Sequence, residues 1–292
     1  MSNYSASKFD KNNENTSWYK AYNFIPNQSL VLDIGCSSGN FGKVLINDKK
    51  CIVDGIEINT TDAKRASKIL RKVWVKDIEK DKLDYLNDKY DVIYLGDVIE
   101  HLVDPISVLK NIKKYLSKKG FILFSIPNMG YLEVRLDLLR GEFEYTETGL
   151  LDKTHLHFYT QNEIFRIFNE SGFNITNLDF VKKDYPKDLI KNVLKNIGLN
   201  ANTKFYELMA DTSASAFQFV GKAYSSNINS HKLKDFGPID MFEEFYINTK
   251  KDYENKIKKQ SDQIKILQQR IEEINKNPYK FFIKTIKSKL KK

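Results

Sequence analysis

Only two of the 292 residues are cysteine, Cys36 and Cys51. That excludes a disulfide framework and makes a reducing cytoplasm the natural compartment. No uninterrupted apolar run approaches the roughly 20 residues that span a bilayer. The opening stretch Met1 to Glu14 is polar and lacks the apolar segment of a secretory signal. The expectation is a soluble chain, or one attached at most to a surface. Histidine is scarce too: His101, His155, His157 and His231 are the whole supply, so imidazole chemistry is confined to them. Net charge is +9, but the last 17 residues, Lys276 to Lys292, carry seven lysines and no acid, which leaves only +2 for everything before them. A body so close to neutrality speaks against a nucleic-acid partner.

What is present reads as an α/β domain. From Leu30 onward short β-branched runs alternate with helical patterns, the mark of a parallel sheet covered by helices. Strands are expected at Leu30–Ile34, Ile52–Ile56, Val73–Val75, Asp91–Leu95, Phe121–Ile126, Phe173–Val181 and Ala214–Ala223. Helices are expected around Phe41–Ile46, Asp62–Leu70, Ile106–Leu116, Tyr131–Arg140, Asn162–Ser171 and within 187–209. Residues 141–160 are aromatic and polar without periodicity, which in a compact domain suggests a lid or binding loop.

This domain is expected to run over residues 1–226, with a linker at 227–240. Over 241–276 the composition shifts to Lys, Gln, Glu, Asn and Ile. Ile257, Ile264 and Ile271 fall at one heptad position, Leu267 and Ile274 at the other. That seam suits a parallel two-stranded coiled coil and hence a homodimer; a single helix packed on its own domain is the other reading. Pro278 stops the helix. In 279–292, Phe282, Ile283, Ile286 and Leu290 form an apolar stripe among lysines, the composition of a helix lying on an anionic membrane face or of a solubilising tail.

The run Asp33-Ile34-Gly35-Cys36-Ser37-Ser38-Gly39 joins a buried strand to a helix through a glycine-bearing loop. Gly35 and Gly39 allow a sharp turn and a close ligand. Dinucleotide binders share this layout, but Asp33 stands where a carboxylate would repel a pyrophosphate, and Ser37 replaces the middle glycine of G-x-G-x-x-G. The pattern suits a cationic ligand instead. Glu57 ends the second strand, 22 positions after Gly35, where it can accept hydrogen bonds from both ribose hydroxyls. Asp77 and Ile78 follow the third strand, where a carboxylate can meet an adenine amino group and an isoleucine its face.

Together with Gly96-Asp97-Val98-Ile99-Glu100-His101-Leu102, this set resembles the ubiquinone-biosynthesis-like branch of class I S-adenosylmethionine-dependent methyltransferases. The stretches Ser125 to Asn128 and Gly149-Leu150-Leu151-Asp152-Lys153-Thr154-His155-Leu156-His157-Phe158 look like members found with surface-polysaccharide genes. The resemblance covers Leu30 to about Val181. It implies a Rossmann-like seven-stranded sheet with a late antiparallel pair, and S-adenosyl-L-methionine as cofactor. It implies cofactor contacts from Asp33, Gly35, Cys36, Ser37, Gly39, Glu57, Ile58, Asp77, Ile78, Asp97 and Val98.

Methyl transfer to oxygen requires that the acceptor lose a proton, most often to histidine. His155, in the lid, and His101, after the fourth strand, are the candidates; His157 reads as structural and His231 lies in the linker. Asp97, Glu100 and His101 are spaced i, i+3, i+4 and could hold Mg²⁺, but such spacing is common on helices, and no metal is assigned. Arg135, Arg140, Tyr131 and the lid aromatics Phe143, Tyr145, Phe158 and Tyr159 are candidates to receive a sugar or a flat aromatic acceptor. A small-molecule or glycan hydroxyl is the expected acceptor. A quinone-type ring and a non-catalytic coiled-coil scaffold are the alternatives.

Overall fold

The computed structural model describes residues 9–183, 186–200, 202, 205, 212–226, 258, 261–269, 271–272 and 275–276. The chain divides into two units, Met1–Lys234 and Asp235–Lys292.

The first unit is built on a seven-stranded sheet. Its strands are β1 (Leu30–Ile34), β2 (Ile52–Glu57), β3 (Lys72–Val75), β4 (Tyr90–Gly96), β5 (Leu116–Pro127), β6 (Phe173–Lys182) and β7 (Ala216–Ser225). Their order across the sheet is β3-β2-β1-β4-β5-β7-β6. Strands β1 to β5 pair in parallel, and β7 runs antiparallel to both β5 and β6. The order reverses at β1, between β2 and β4, and in such sheets ligands bind at the carboxyl ends of the strands beside that switch point.

Alternating side chains of the central strands feed two cores. Leu32 and Ile34 of β1 point to one face with Ile93, Leu95, Ile122 and Phe124. Val31 points to the other, with Val53, Val92 and Leu123. Helices α2 (Asn40–Lys49) and α3 (Thr60–Ala66) follow β1 and β2, and α4 (Pro105–Ile112) precedes β5 with its proline in the first turn. Asp104 caps α4 by accepting from the Ser107 amide at 3.0 Å. After β5 come α5 (Leu132–Leu139), α6 (Gln161–Glu170) and α7 (Lys187–Asn196).

The structure departs from the sequence reading in several places, among them the last strand, which begins at Ala216 because Ala214 and Ser215 lie in a helical turn, Thr212–Ser215. Helix α1, Ser17–Phe24, is an element that the reading lacked; Thr16 caps it by accepting from the Tyr19 amide at 3.1 Å. Strand β5 begins at Leu116, five residues early, because the chain pairs Leu116 with Tyr90 and then skips to Phe121 opposite Val92. Helix α3 stops at Ala66, and the following turn still buries Leu70. In the second unit residues 261–269 are helical and exposed. Most of 241–276, all of the expected linker 227–240 and the tail 279–292 lie outside the described residues. Among the described residues no helix is long and apolar enough to cross a membrane.

One polar cluster ties the sheet edge together. Asp54 on β2 is fully buried, and its carboxylate accepts from Arg71 Nε at 2.8 Å and from the Tyr90 hydroxyl at 2.9 Å. Truncating it strands a buried hydroxyl and one side of a half-exposed guanidinium. Asp54→Ala should therefore destabilise the domain by about 1–3 kcal/mol, read as a lower denaturant midpoint at constant slope; an unchanged midpoint would contradict the role given to this cluster.

Candidate cofactor and acceptor site

Asp33 is the penultimate residue of β1, paired with Gly55, and only 4% of its surface is exposed. The loop after it is drawn back onto β2, where the amides of Gly35 and Cys36 donate to the Ile56 carbonyl at 2.8 and 3.2 Å. Gly35 adopts φ 74°, and a Cβ there would lie 2.6 Å from Cγ2 of Val98. Gly39 caps α2 at φ 79°, with a Cβ position 3.1 Å from the Ala66 backbone. Both need glycine on two counts, handedness and space. Ser37 is left-handed too, at φ 47°, a conformation that costs an L-residue roughly 1–2 kcal/mol. Its amide is what the loop offers in return, donating to Glu57 Oε2 at 2.8 Å.

Glu57 ends β2 and is 9% exposed; its Oε1 accepts from the Asn59 amide at 2.8 Å, so both oxygens are held in place by backbone donors. Burial, with Glu57 alongside, pushes Asp33 up to about 8. Asp77, just beyond β3, accepts from the Glu79 amide at 3.0 Å and lies 3.2 Å from the Lys80 ammonium. Partial burial pushes its carboxyl up, but these hydrogen bonds and Lys80 outweigh it and hold Asp77 below the usual range.

These groups open onto one cavity of about 950 Å³, lined by Asp33, Gly35, Cys36 and Ser37 from the first loop, Glu57 and Ile58 from the second, and Asp77 and Ile78 from the third. Asp97, Val98 and His101 close it from the end of β4. Gly39 acts behind the loop and does not line the cavity. Asp97 is left-handed at φ 55° and accepts from Ser125 Oγ at 2.8 Å and from Gln218 Nε2. Burial raises its pKa although these two donors oppose the shift. Ile58 is 65% exposed, an apolar surface standing uncovered at the cavity wall.

The volume is in the range of cofactor-sized ligands, and a wall bearing Asp33, Glu57 and Asp77 selects a ligand with cationic and hydroxyl groups. Four further wall residues, Phe9, Thr16, Ser17 and Trp18, come from the N-terminal segment that the sequence reading left without a role. The Thr16 cap followed by apolar Trp18, Ala21, Tyr22 and Ile25 was the signal for that segment.

The histidines separate. His101 lines the cavity, with Nδ1 3.1 Å from the Thr154 carbonyl. His155 is 7% exposed and does not line it; it stacks edge-on to His101 with ring centroids 4.8 Å apart. Its Nδ1 is 3.2 Å from the Leu150 carbonyl and its Nε2 4.0 Å from Glu100 Oε1. Burial lowers the His155 pKa, with His101 adding to the shift. His157 Nε2 lies 3.3 Å from the Val103 carbonyl. Glu100 is 1% exposed, neither oxygen has a hydrogen-bond partner, and burial raises its pKa far above normal.

Among the described residues, Glu100, His101 and His155 bring potential ligand atoms within 4.8 Å of one another, a donor set that could hold a divalent ion. Asp97, whose carboxylate is engaged by Ser125 and Gln218, is not in that group. Of the remaining acceptor-side candidates, Tyr131 and Tyr159 are core residues. Arg135 is bound to the Gly130 carbonyl and Ser213, and Arg140 pairs with Asp137 and Glu142. Phe143, Tyr145 and Phe158 form a cluster of rings with centroids 5.4 to 6.3 Å apart, and Tyr145 is 59% exposed.

Comparison with known proteins agrees with this architecture. Ubiquinone biosynthesis O-methyltransferase of Histophilus somni is 25% identical over 125 residues, 40% of this chain and 52% of that protein. The protein of the same name from Nitrosomonas europaea is 25% identical over 205 residues, 64% of this chain and 74% of that one. The chain spans about half the length of the first curated relatives that it matches. A SAM-dependent methyltransferase structure from Archaeoglobus fulgidus shares the fold with TM-score 0.50 and 19% identity, over 73% of this chain and 94% of that one. Residues 13–178, more than half of the sequence, match the methyltransferase domain; the chain belongs to that family, and S-adenosylmethionine is its cofactor.

Proposed function

We propose that the chain is an O-methyltransferase acting on a hydroxyl of a sugar, glycan or related small molecule, in the cytoplasm and in the assembly of a cell-surface polysaccharide. The observation that carries the O-methyl part is the convergence of three strand-end carboxylates and one histidine on a single cavity. Bound cofactor supplies a methyl group activated by the sulfonium. The protein's own residues do the rest. Asp33 would meet the ammonium, Glu57 would accept from the ribose hydroxyls and Asp77 would take the adenine amino group, with Ile58 and Ile78 as apolar wall for the ring.

The acceptor must be aligned and deprotonated. His101, on the cavity wall, takes its proton; His155, buried edge-on against His101, is the second residue for that role. Support for a sugar acceptor comes from the resemblance of Gly149 to Phe158 to polysaccharide-associated members, and from the half-exposed rings of Phe143, Tyr145 and Phe158, which suit stacking. A quinone-type aromatic acceptor is the second reading, favoured by the names of the curated relatives.

The isoleucine seam of the second unit supports a homodimer: Ile264, Leu267 and Ile271 are each more than half exposed on described helical residues. The lysine-rich tail supports a peripheral membrane contact. Light scattering at micromolar concentration should report a dimer, and a monomer would remove the coiled-coil reading. Anionic vesicles should retain the full chain and release one cut after Asn277.

Calorimetric titration with S-adenosylmethionine should give micromolar binding that falls at least tenfold, about 1.4 kcal/mol, in both Asp33→Ala and Glu57→Ala. A folded wild type without binding would overturn the assignment. Because Asp33 is pushed up to about 8, it carries a proton at about pH 6.5 that an ammonium partner displaces. Binding there should release about one proton, and affinity should rise with pH toward about 8, up to tenfold per pH unit. Heats that are identical in two buffers of different ionisation enthalpy would mean that Asp33 is already ionised.

A further inference from the structure

The segment after β5 contributes no residue to the cavity lining, but it holds His101 in one protonation pattern from behind. Nδ1 of His101 lies 3.1 Å from the Thr154 carbonyl oxygen and 3.3 Å from Thr154 Oγ1. A carbonyl only accepts. The Thr154 hydroxyl hydrogen is committed elsewhere, since Oγ1 donates to Asp152 Oδ1 at 2.7 Å. Both Thr154 oxygens therefore face Nδ1 as acceptors, and Nδ1 must carry the hydrogen. In the neutral ring Nε2 is then the bare, basic nitrogen.

Asp152 fixes Thr154 from two sides, because the same Oδ1 also accepts from the Thr154 amide at 2.8 Å. Asp152 is itself buried, at 3% exposure, so the chain of contacts is anchored in the protein rather than in solvent. The segment is also tied to the turn that bears His101: the amides of Leu156 and His157 donate to the Glu100 carbonyl at 2.9 and 3.1 Å. The segment is thus pinned to the backbone immediately before the ring that it orients.

We propose that Asp152 and Thr154 are positioning residues that lock His101 in its Nδ1–H tautomer and so leave Nε2 as the proton acceptor at the cavity. The role as acceptor rests on the O-methyl reading above; the tautomer does not. No bond is made or broken by Asp152 or Thr154. The acceptor hydroxyl loses its proton to Nε2, its oxygen takes the methyl group, and the imidazolium returns the proton to water.

The test has two readouts. Long-range ¹H–¹⁵N spectra of ¹⁵N-histidine protein, with the His101 signals assigned by their loss in His101→Gln, should show the hydrogen on Nδ1 in the wild type. Asp152→Ala should shift His101 toward the other tautomer, while Asp152→Asn, which keeps an acceptor oxygen, restores it. With an acceptor in hand, Asp152→Ala should lower kcat about 10- to 100-fold with KM for S-adenosylmethionine nearly unchanged, and Thr154→Ser should approach the wild type where Thr154→Val does not. Calorimetric cofactor binding by each variant separates mispositioning from misfolding. A wild-type spectrum with the hydrogen on Nε2 overturns the proposal, as does an Asp152→Ala protein with unaltered tautomer and kcat. A wild type with Nδ1–H and normal cofactor binding that methylates no hydroxyl leaves the tautomer standing and sinks the O-methyl reading instead.

Discussion

Parallel pairing of β1 with β2 and of β2 with β3 places Asp33, Glu57 and Asp77 at neighbouring strand ends on one edge of the sheet. Like charges brought together out of water repel, and the domain answers in three ways. Glu57 is given two backbone donors, Asp77 is given the amides of its own turn and Lys80, and Asp33 is left to hold a proton. The same economy appears in the backbone, where the two left-handed non-glycine residues at the cavity, Ser37 and Asp97, both lie in loops that leave a strand end. Strain and buried charge are concentrated where a ligand can relieve them.

The opposite side of the site is governed by hydrogen bonds rather than charge. Carbonyl oxygens of Thr154, Leu150 and Val103 each meet one ring nitrogen of His101, His155 and His157. A loop that reads as irregular in sequence is in fact ordered by its own backbone, with Thr146 and Leu151 paired at 2.8 Å and the His155 amide bonded to the Asp152 carbonyl at 3.0 Å. The rings projecting from it, Phe143, Tyr145 and Phe158, are thereby presented on a defined surface.

Much of this was legible in residues 30–127, where β1 to β4 are short apolar runs with an acid or a glycine at, or within two residues of, their carboxyl ends. Asp33, Glu57 and Asp77 could be read as a set: Asp77 alone reads as a solvated loop acid, but three acids at three successive strand ends do not recur by chance. What escaped the reading depends on distance along the chain. Helix α1 is amphipathic over only eight residues, and its place at the cavity depends on strands more than 150 positions away. The separation of His101 from His155 escaped as well: both follow strands, and nothing in their spacing tells that one lines the cavity while the other packs behind it. Nor could the sequence reveal that the Glu100 carboxyl would be buried without a hydrogen-bond partner, since that follows from which loop packs over it.

The anchoring of the N-terminal segment also sets an order of events during synthesis. Lys20 pairs with Asp179 at 3.0 Å, and Asn15 exchanges hydrogen bonds with the Lys182 backbone at 2.6 and 2.7 Å. A ribosome therefore delivers the first wall of the cavity long before the strand that retains it. Residues 9–24 can meet α2 early, Trp18 against Phe41 and Lys11 beside Asp48, but their bonds to β6 form only once it has emerged and β7 has inserted between it and β5. The nascent chain can form the glycine loop early, yet it acquires a complete pocket only when the last strand of the sheet is in place.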